Sequence, residues 1–154
     1  MTLVGLISDT HGLLRPQAIE ALRGTSHILH AGDVGTPEIL DGLRKIAPVT
    51  AVRGNVDCGA WADRLPNDAT VSIQGHRIHI LHILPDLQID PAVAKVSVVL
   101  YGHTHKPLIE AKGGVLYVNP GSAGPRRFTL PMSVGFLRFA PHAPPEAWLE
   151  TLEP

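Results

Sequence analysis

A single cysteine, Cys58, among 154 residues excludes an intrachain disulfide framework and fits a reducing compartment. Aromatic residues are scarce, only two Trp, two Tyr and three Phe. That poverty argues against a groove in which successive bases of a polynucleotide stack. Thirteen Lys+Arg against fourteen Asp+Glu leave a formal net charge of −1, without the positive surplus of a nucleic-acid or anionic-membrane binder. No apolar run approaches the roughly 18 residues needed to span a bilayer. The Met1–Asp9 segment lacks the basic start and the length of a signal peptide, so a cytoplasmic location is expected. The remainder, 44% hydrophobic and 18% charged, is the composition of a folded domain. One domain covering residues 1–154 is expected from the length. Nine histidines stand out, scattered along the chain and not gathered in a tag.

Leu3-Val4-Gly5-Leu6-Ile7 reads as a strand buried on both faces. Pro16 opens a helical pattern with Ala18, Ile19 and Leu22 on one face, and Gly24 closes it. His27–Ala31 is a second strand. Thr36 caps a helix with Pro37 at its first position and Ile39, Leu40, Leu43 and Ile46 at helical spacing. Val49–Val52 is a third strand, completing a β-α-β-α-β unit with parallel crossovers. Residues 61–67 read as a loop. Ala69–Ile73 and Arg77–His82 form a hairpin about Gln74-Gly75-His76, and a short helix is expected near Pro91–Ala94. Val96–Tyr101, a second hairpin about Gly113-Gly114, Met132–Phe139 and Trp148–Leu152 supply further strands. The pattern is a mixed α/β domain, parallel in its first half and antiparallel in its second.

Each polar cluster falls where an apolar strand stops: Asp9-Thr10-His11, Gly32-Asp33, Gly54-Asn55-Val56-Asp57, His82, and Gly102-His103-Thr104-His105. Ligands of open α/β sheets collect at the carboxyl ends of strands, so these clusters are expected on one rim. Asp9/His11 and His103/His105 are both i,i+2 pairs. In extended chain such residues point to the same side, whereas on a helix they diverge by about 200°, so each pair is expected to grip one ion. Carboxylate, imidazole and amide donors without thiolate suit Mn, Fe or Zn. Seven donors are too many for one tetrahedral ion and about right for two ions sharing a carboxylate.

The ordered set Asp-x-His, Gly-Asp, Gly-Asn-x-Asp, His and Gly-His-Thr-His resembles the calcineurin-like metallophosphoesterase superfamily. With the length and Asn119-Pro120-Gly121-Ser122, it is similar to the small prokaryotic, YfcE-like phosphodiesterase branch. The resemblance spans Leu3 to about Phe139. It implies a four-layer α/β/β/α sandwich with two mixed β-sheets and a dinuclear metal centre. It further implies that Asp9, His11 and His105 hold the first ion, that Asn55, His82 and His103 hold the second, and that Asp33 bridges them. A hydroxide shared by two divalent transition-metal ions (manganese first, with Fe, Ni or Zn sharing the ligand set) is the implied nucleophile. Asp33, Asn55 and His103 are the implied catalytic residues. Two divalent ions, two carboxylates and a hydroxide leave the centre at about +1, attractive to a phosphodiester anion.

Two positions depart from the family pattern. Many larger members carry a histidine after the asparagine of the third motif as general acid; Val56 stands there, which favours diesters or good leaving groups over alkyl monoesters. Relatives often follow the fourth-motif histidine with glycine; here His82 precedes Ile83-Leu84-Pro85. Arg53 is a candidate phosphate contact, and Asp57 is expected to brace its loop. The partner expected is a small phosphodiester, with no membrane and no strong nucleic-acid surface. The alternative is a catalytically weak scaffold or binding module on the same fold, like a retromer subunit.

Overall fold

The computed structural model describes residues 1–153. Two five-stranded sheets pack face to face. One runs in the order β10-β9-β1-β2-β3, with β1 Thr2–Ile7, β2 His27–His30, β3 Val49–Ala51, β9 Ser133–Phe139 and β10 Glu146–Thr151. The other runs β4-β5-β6-β8-β7, with β4 Asp68–Ile73, β5 His76–Leu81, β6 Val96–Leu100, β7 Leu108–Lys112 and β8 Val115–Asn119. Side chains alternate across the first sheet as a period of two demands. Val4, Leu6, Leu29, Leu137 and Phe139 face Ile78, Ile80, Val98, Leu100 and Val118 of the second sheet, forming a dry core between the layers. Ile7, Ile28, Val134 and Phe136 face the other way, against helices α1 (Pro16–Leu22) and α2 (Pro37–Arg44).

The architecture is the mixed α/β sandwich implied by the resemblance, with helices on the outer face of the first sheet. Over the second sheet the outer layer is thin. A 3₁₀ turn at Leu84–Asp86 and the chain to Ala94 cover Leu81, Val96, Val99 and Tyr101. The helix expected near Pro91–Ala94 does not form. Ala94 N–H reaches the Asp90 carbonyl, the Asp90 carboxylate takes the amides of Ala92 and Val93, and Lys95 turns left-handed at φ 57°, ending the turn. Within the expected loop 61–67, residues Ala60–Asp63 instead make one helical turn, α3. Thr36 occupies the N-cap of α2, but its side chain makes no cap bond.

The expectation of an antiparallel second half also needs correction. The hairpins lie only at the edges, and β5, β6 and β8 are mutually parallel. Both hairpins use two-residue turns with positive φ, Gln74-Gly75 (51°, 79°) and Gly113-Gly114 (57°, 79°), the turn geometry that matches strand twist. The parallel strands matter most. β1, β2 and β3 in one sheet, and β5, β6 and β8 in the other, each bring their carboxyl ends to a common edge. The Gly102 amide bonds the His82 carbonyl (3.0 Å), and the Asp9 amide bonds the Gly32 carbonyl (3.0 Å), fastening neighbouring strand ends.

Truncating Leu100→Ala in the inter-sheet core should lower unfolding free energy by about 2–5 kcal/mol. Phe128→Ala, at a side chain 94% exposed, should stay within about 0.5 kcal/mol of wild type. Urea denaturation of both variants measures the contrast.

Candidate metal centre

The seven expected side chains meet at the rim where the two sheet edges converge. Asp9 follows β1, Asp33 follows β2, Asn55 follows β3, His82 follows β5, and His103 and His105 follow β6. Two sets of donor atoms lie close together, Asp9/His11/His105 and Asp33/His82/His103. In the first set Asp9 Oδ1 is 3.7 Å from His11 Nε2 and 3.4 Å from His105 Nε2, and the two imidazole nitrogens are 3.3 Å apart. Ligand atoms about 2.1 Å from a single tetrahedral ion sit roughly 3.4 Å from one another, so this triangle has the dimensions of a coordination face.

In the second set Asp33 Oδ2 lies 3.1 Å from His82 Nε2. The same oxygen lies 3.6 Å from His11 Nε2, so Asp33 reaches both sets. Asn55 Oδ1 is 3.1 Å from His103 Nδ1. The sets differ in exposure. Asp9 and His105 are buried, whereas Asn55 and His103 face solvent.

The surrounding bonds leave selected atoms unclaimed. Asp9 Oδ2 accepts the Ser8 hydroxyl (2.7 Å) and the His103 amide (3.1 Å), while its Oδ1 is buried without a hydrogen bond. His82 donates Nδ1–H to the Ala31 carbonyl (2.8 Å), so its Nε2 turns a lone pair toward the carboxylates and is likewise unbonded. An imidazole fixed by a backbone carbonyl behind it is the usual support of a metal-binding histidine. Asp33 Oδ1 is held by the Val56 amide (3.0 Å), freeing Oδ2. Buried oxygens and lone pairs turned on one another cost free energy unless a cation lies between them. The donor set therefore fits divalent ions.

Electrostatics point the same way. Burial by itself would raise the Asp9 carboxyl, but His105, His11, His82 and Ser8 outweigh it and hold it well below the usual carboxylate range. Burial also opposes ionisation of Asp33, and the His82 contact and Val56 amide reverse it, lowering its pKa. For His82, burial disfavours the charged ring, yet Asp33, Asp9 and the Ala31 carbonyl prevail and raise its pKa. The pocket stabilises negative carboxylates and calls for positive charge beside them.

The local backbone is unusual. Asp9 (φ 54°), His11 (47°), Asp33 (54°), His103 (72°) and His105 (63°) all adopt the left-handed conformation. The i,i+2 pairs are therefore not extended, and the expectation of one ion per pair holds only for Asp9/His11. The His103/His105 pair is split, with His105 in the first set and His103 in the second. Left-handed backbone at non-glycine residues persists where the surroundings over-determine it. Gly54 and Gly102 are part of that surrounding. A Cβ on Gly54 would collide with the Asp33 backbone, and one on Gly102 with the Ser8 hydroxyl.

Ser8 was not singled out from sequence, and Asn119 and Ser122 entered only through the family resemblance, without the supporting roles the structure gives them. Asn119, at the end of β8, donates Nδ2–H to the Gly102 carbonyl (3.1 Å) and Thr104 Oγ1 (3.0 Å), and its Oδ1 accepts the Gly121 amide (2.9 Å). The Ser122 hydroxyl lies 3.1 Å from the Asp9 carbonyl. A polar side chain closing an apolar strand, as at Ser8 and Asn119, is the signal that would have found them. Asp57 braces its loop as expected. Its carboxylate accepts the amides of Gly54 (2.8 Å), Gly35 (2.9 Å) and Val34 (3.2 Å), tying the turn after β3 to the turn after β2. Arg53 lies at the edge of the site, its guanidinium bonded to Asp63 (3.1 Å) and the Asp57 carbonyl (3.0 Å).

His30, fully buried, accepts the Gly32 amide at Nδ1 (3.1 Å), so its Nε2 carries the proton facing Thr10 Oγ1 (3.0 Å). Thr10 passes the bond on to the Val34 carbonyl (2.8 Å). Burial pushes the ring's pKa down to about 4, which keeps it neutral.

A family comparison settles the kinship. The calcineurin-like phosphoesterase superfamily domain matches residues 2–140. This chain belongs to that superfamily. Among phosphoesterase relatives, a probable metallophosphoesterase of Methanothermobacter thermautotrophicus is 36% identical over 148 residues, covering 88% of this chain and 85% of its own. Phosphodiesterase YfcE of Escherichia coli is 31% identical over 156 residues, covering 84% of each. Among solved structures, Vps29 of Chaetomium thermophilum superposes with a TM-score of 0.78 at 21% identity, covering 99% of this chain and 100% of that one. At that identity the superposition speaks for the phosphoesterase fold alone. Among the described residues no helix is long and apolar enough to cross a membrane.

If these donors take up metal, Mn²⁺ should raise the melting temperature of wild type and leave that of Asp33→Ala unmoved, by calorimetry with and without chelator. Because the His30 pKa is depressed in the folded state, the unfolded chain binds the extra proton. Stability should therefore fall as pH drops from about 6.5 to 4, by up to about 3 kcal/mol from this group. Urea titrations of metal-free protein across that window should show His30→Gln flattening the decline.

Proposed function

We propose that this chain is a divalent-metal-dependent phosphodiesterase acting on small phosphodiesters. The observation that carries the reading is the buried, unbonded Asp9 Oδ1, facing the Nε2 atoms of His105, His11 and His82 at 3.4–3.8 Å. Asp9, His11 and His105 would hold one ion, Asn55, His82 and His103 a second, and Asp33 Oδ2 would be shared. Manganese is the first candidate, and Fe, Ni and Zn suit the same donors. Bound ions supply Lewis acidity, lowering the pKa of water and neutralising charge on the phosphoryl oxygens.

The chain's own residues keep that centre ready. Ser8 and the His103 amide fix one oxygen of Asp9, the Val56 amide fixes one oxygen of Asp33, and the Ala31 carbonyl fixes the ring of His82. No rotamer search remains for these groups when substrate arrives, which is the advantage of preorganisation. Asn55 and His103, exposed at the mouth, are the members that would touch substrate. Val56, also exposed there, offers no proton to a departing alkoxide. Diesters and esters with stable leaving groups are therefore favoured over alkyl monoesters, by the 10²–10⁴-fold that general-acid help is typically worth.

A scaffold or binding module is the second reading, and the likeness in fold to Vps29 is what favours it. Seven intact donors weigh on the side of the enzyme. Screening bis(p-nitrophenyl) phosphate, natural diesters and a monoester control with Mn²⁺, Zn²⁺ and Ni²⁺ separates the two. Hydrolysis of the diester is expected, together with a loss of at least about 100-fold in kcat/KM for His103→Ala, whose melting temperature without metal matches that of metal-free wild type. Bound metal without turnover of any diester would favour the scaffold.

A further inference from the structure

A cleft of about 790 Å³ opens beside the metal centre. Asn55 and His82, both donors of the second set, belong to its lining. The cleft thus adjoins the second donor set, and no member of the first set lines it. The segment that departs from the family pattern forms part of it. After Ile83 the chain turns as the 3₁₀ element Leu84–Asp86, Asp86 N–H on the Ile83 carbonyl (3.0 Å) and Leu87 N–H on the Leu84 carbonyl (3.0 Å), and so brings Asp86 and Gln88 into the lining.

Charge is what makes this lining informative. Asp57, Asp68 and Asp86 contribute carboxylates, that of Asp57 already taken up by three backbone amides, and no Phe, Tyr or Trp lines the cleft. Asp68 lies 3.4 Å from His79 Nε2 and keeps more than half its side chain exposed. The one guanidinium, Arg53, is already paired with Asp63. Beyond the ligand residues, the free charge is therefore negative, the opposite of what a second phosphate would need. Phosphate attraction belongs to the ions at one end; the carboxylates can act only on what is attached to the phosphate.

Resting on the phosphodiesterase reading, we infer that this cleft receives the alcohol half of the diester, and that Asp68 and Asp86 select a cationic amino alcohol over an anionic alcohol. A hydroxylated, uncharged alcohol ranks between the two, served by Asn67 and Gln88. Oligonucleotides and other polyanions are disfavoured, because their next phosphate would enter a negative cleft. Both carboxylates touch solvent, so the selection is screened by salt.

Three phosphate-bearing probes of similar size test the assignment by calorimetry on Mn²⁺-loaded protein: phosphocholine, glycerol 3-phosphate and 3-phosphoglycerate. At low ionic strength the expected affinities fall in that order, with about tenfold or more between first and last, narrowing as salt is added. Asp68→Asn/Asp86→Asn should compress the spread to about twofold, while inorganic phosphate, too small to reach the cleft, binds both proteins alike. Equal affinities for the three probes in wild type, or an undiminished spread in the double variant, would overturn the inference. Wild-type hydrolysis of bis(p-nitrophenyl) phosphate, measured alongside, keeps the two readings apart. Turnover without discrimination removes the cleft assignment alone, and discrimination without turnover removes the activity while supporting the cleft as a binding site.

Discussion

Two carboxylates brought together under a ring of imidazole nitrogens form the constraint on which this molecule is organised. Asp9 and Asp33 repel one another, and burial makes that repulsion more costly than it would be in water. The chain does not relieve it by separating them. It removes the freedom of each to turn away, giving one oxygen of Asp9 to Ser8 and His103 and one of Asp33 to Val56. The remaining oxygens and the His82 lone pair face a common space, and the architecture follows from keeping them there. Parallel strands are the means, since only parallel strands deliver successive chain ends to the same edge of a sheet.

The centre was legible because its residues sit at the most readable places in the chain. Apolar runs that stop at Asp9, Asp33, Asn55, His82 and His103 mark strand ends without any tertiary information. The strand-end rule then gathers them on one rim. What escaped was of three kinds. Parallel pairing of β5, β6 and β8 cannot be read from alternation, because a hairpin pattern at an edge says nothing of the strand beyond it. The turn at 91–95 has helical composition but is stopped by the left-handed Lys95, a backbone event set by packing. The bracing roles of Asn119 and Ser122 went unmarked because they reach the Gly102 and Asp9 carbonyls, far away in sequence, and no local spacing reveals such partners.

The i,i+2 argument is instructive because it gathered the right residues through the wrong conformation. Extended backbone would have aimed His103 and His105 at one place. Left-handed backbone at both separates them, one toward Asp33 and one toward Asp9, and so lets a single turn serve two ligand sets. Asp57 and His30 provide the bracing beneath, each tying together turns from different strands. The same fold at about 21% identity in Vps29 is a reminder that the scaffold and the chemistry it carries are separable.

That separability has a thermodynamic side. An L-residue held left-handed gives up about 1 kcal/mol or more relative to glycine, and five donors here carry that burden at once. Replacing them with glycine or asparagine would relax the rim and relieve the carboxylate repulsion together. Purely on folding grounds, then, drift runs downhill away from chemistry. A descendant freed from the need to turn over substrate would gain sturdiness by shedding its donors, while any lineage that keeps them must be paid back through what they bind.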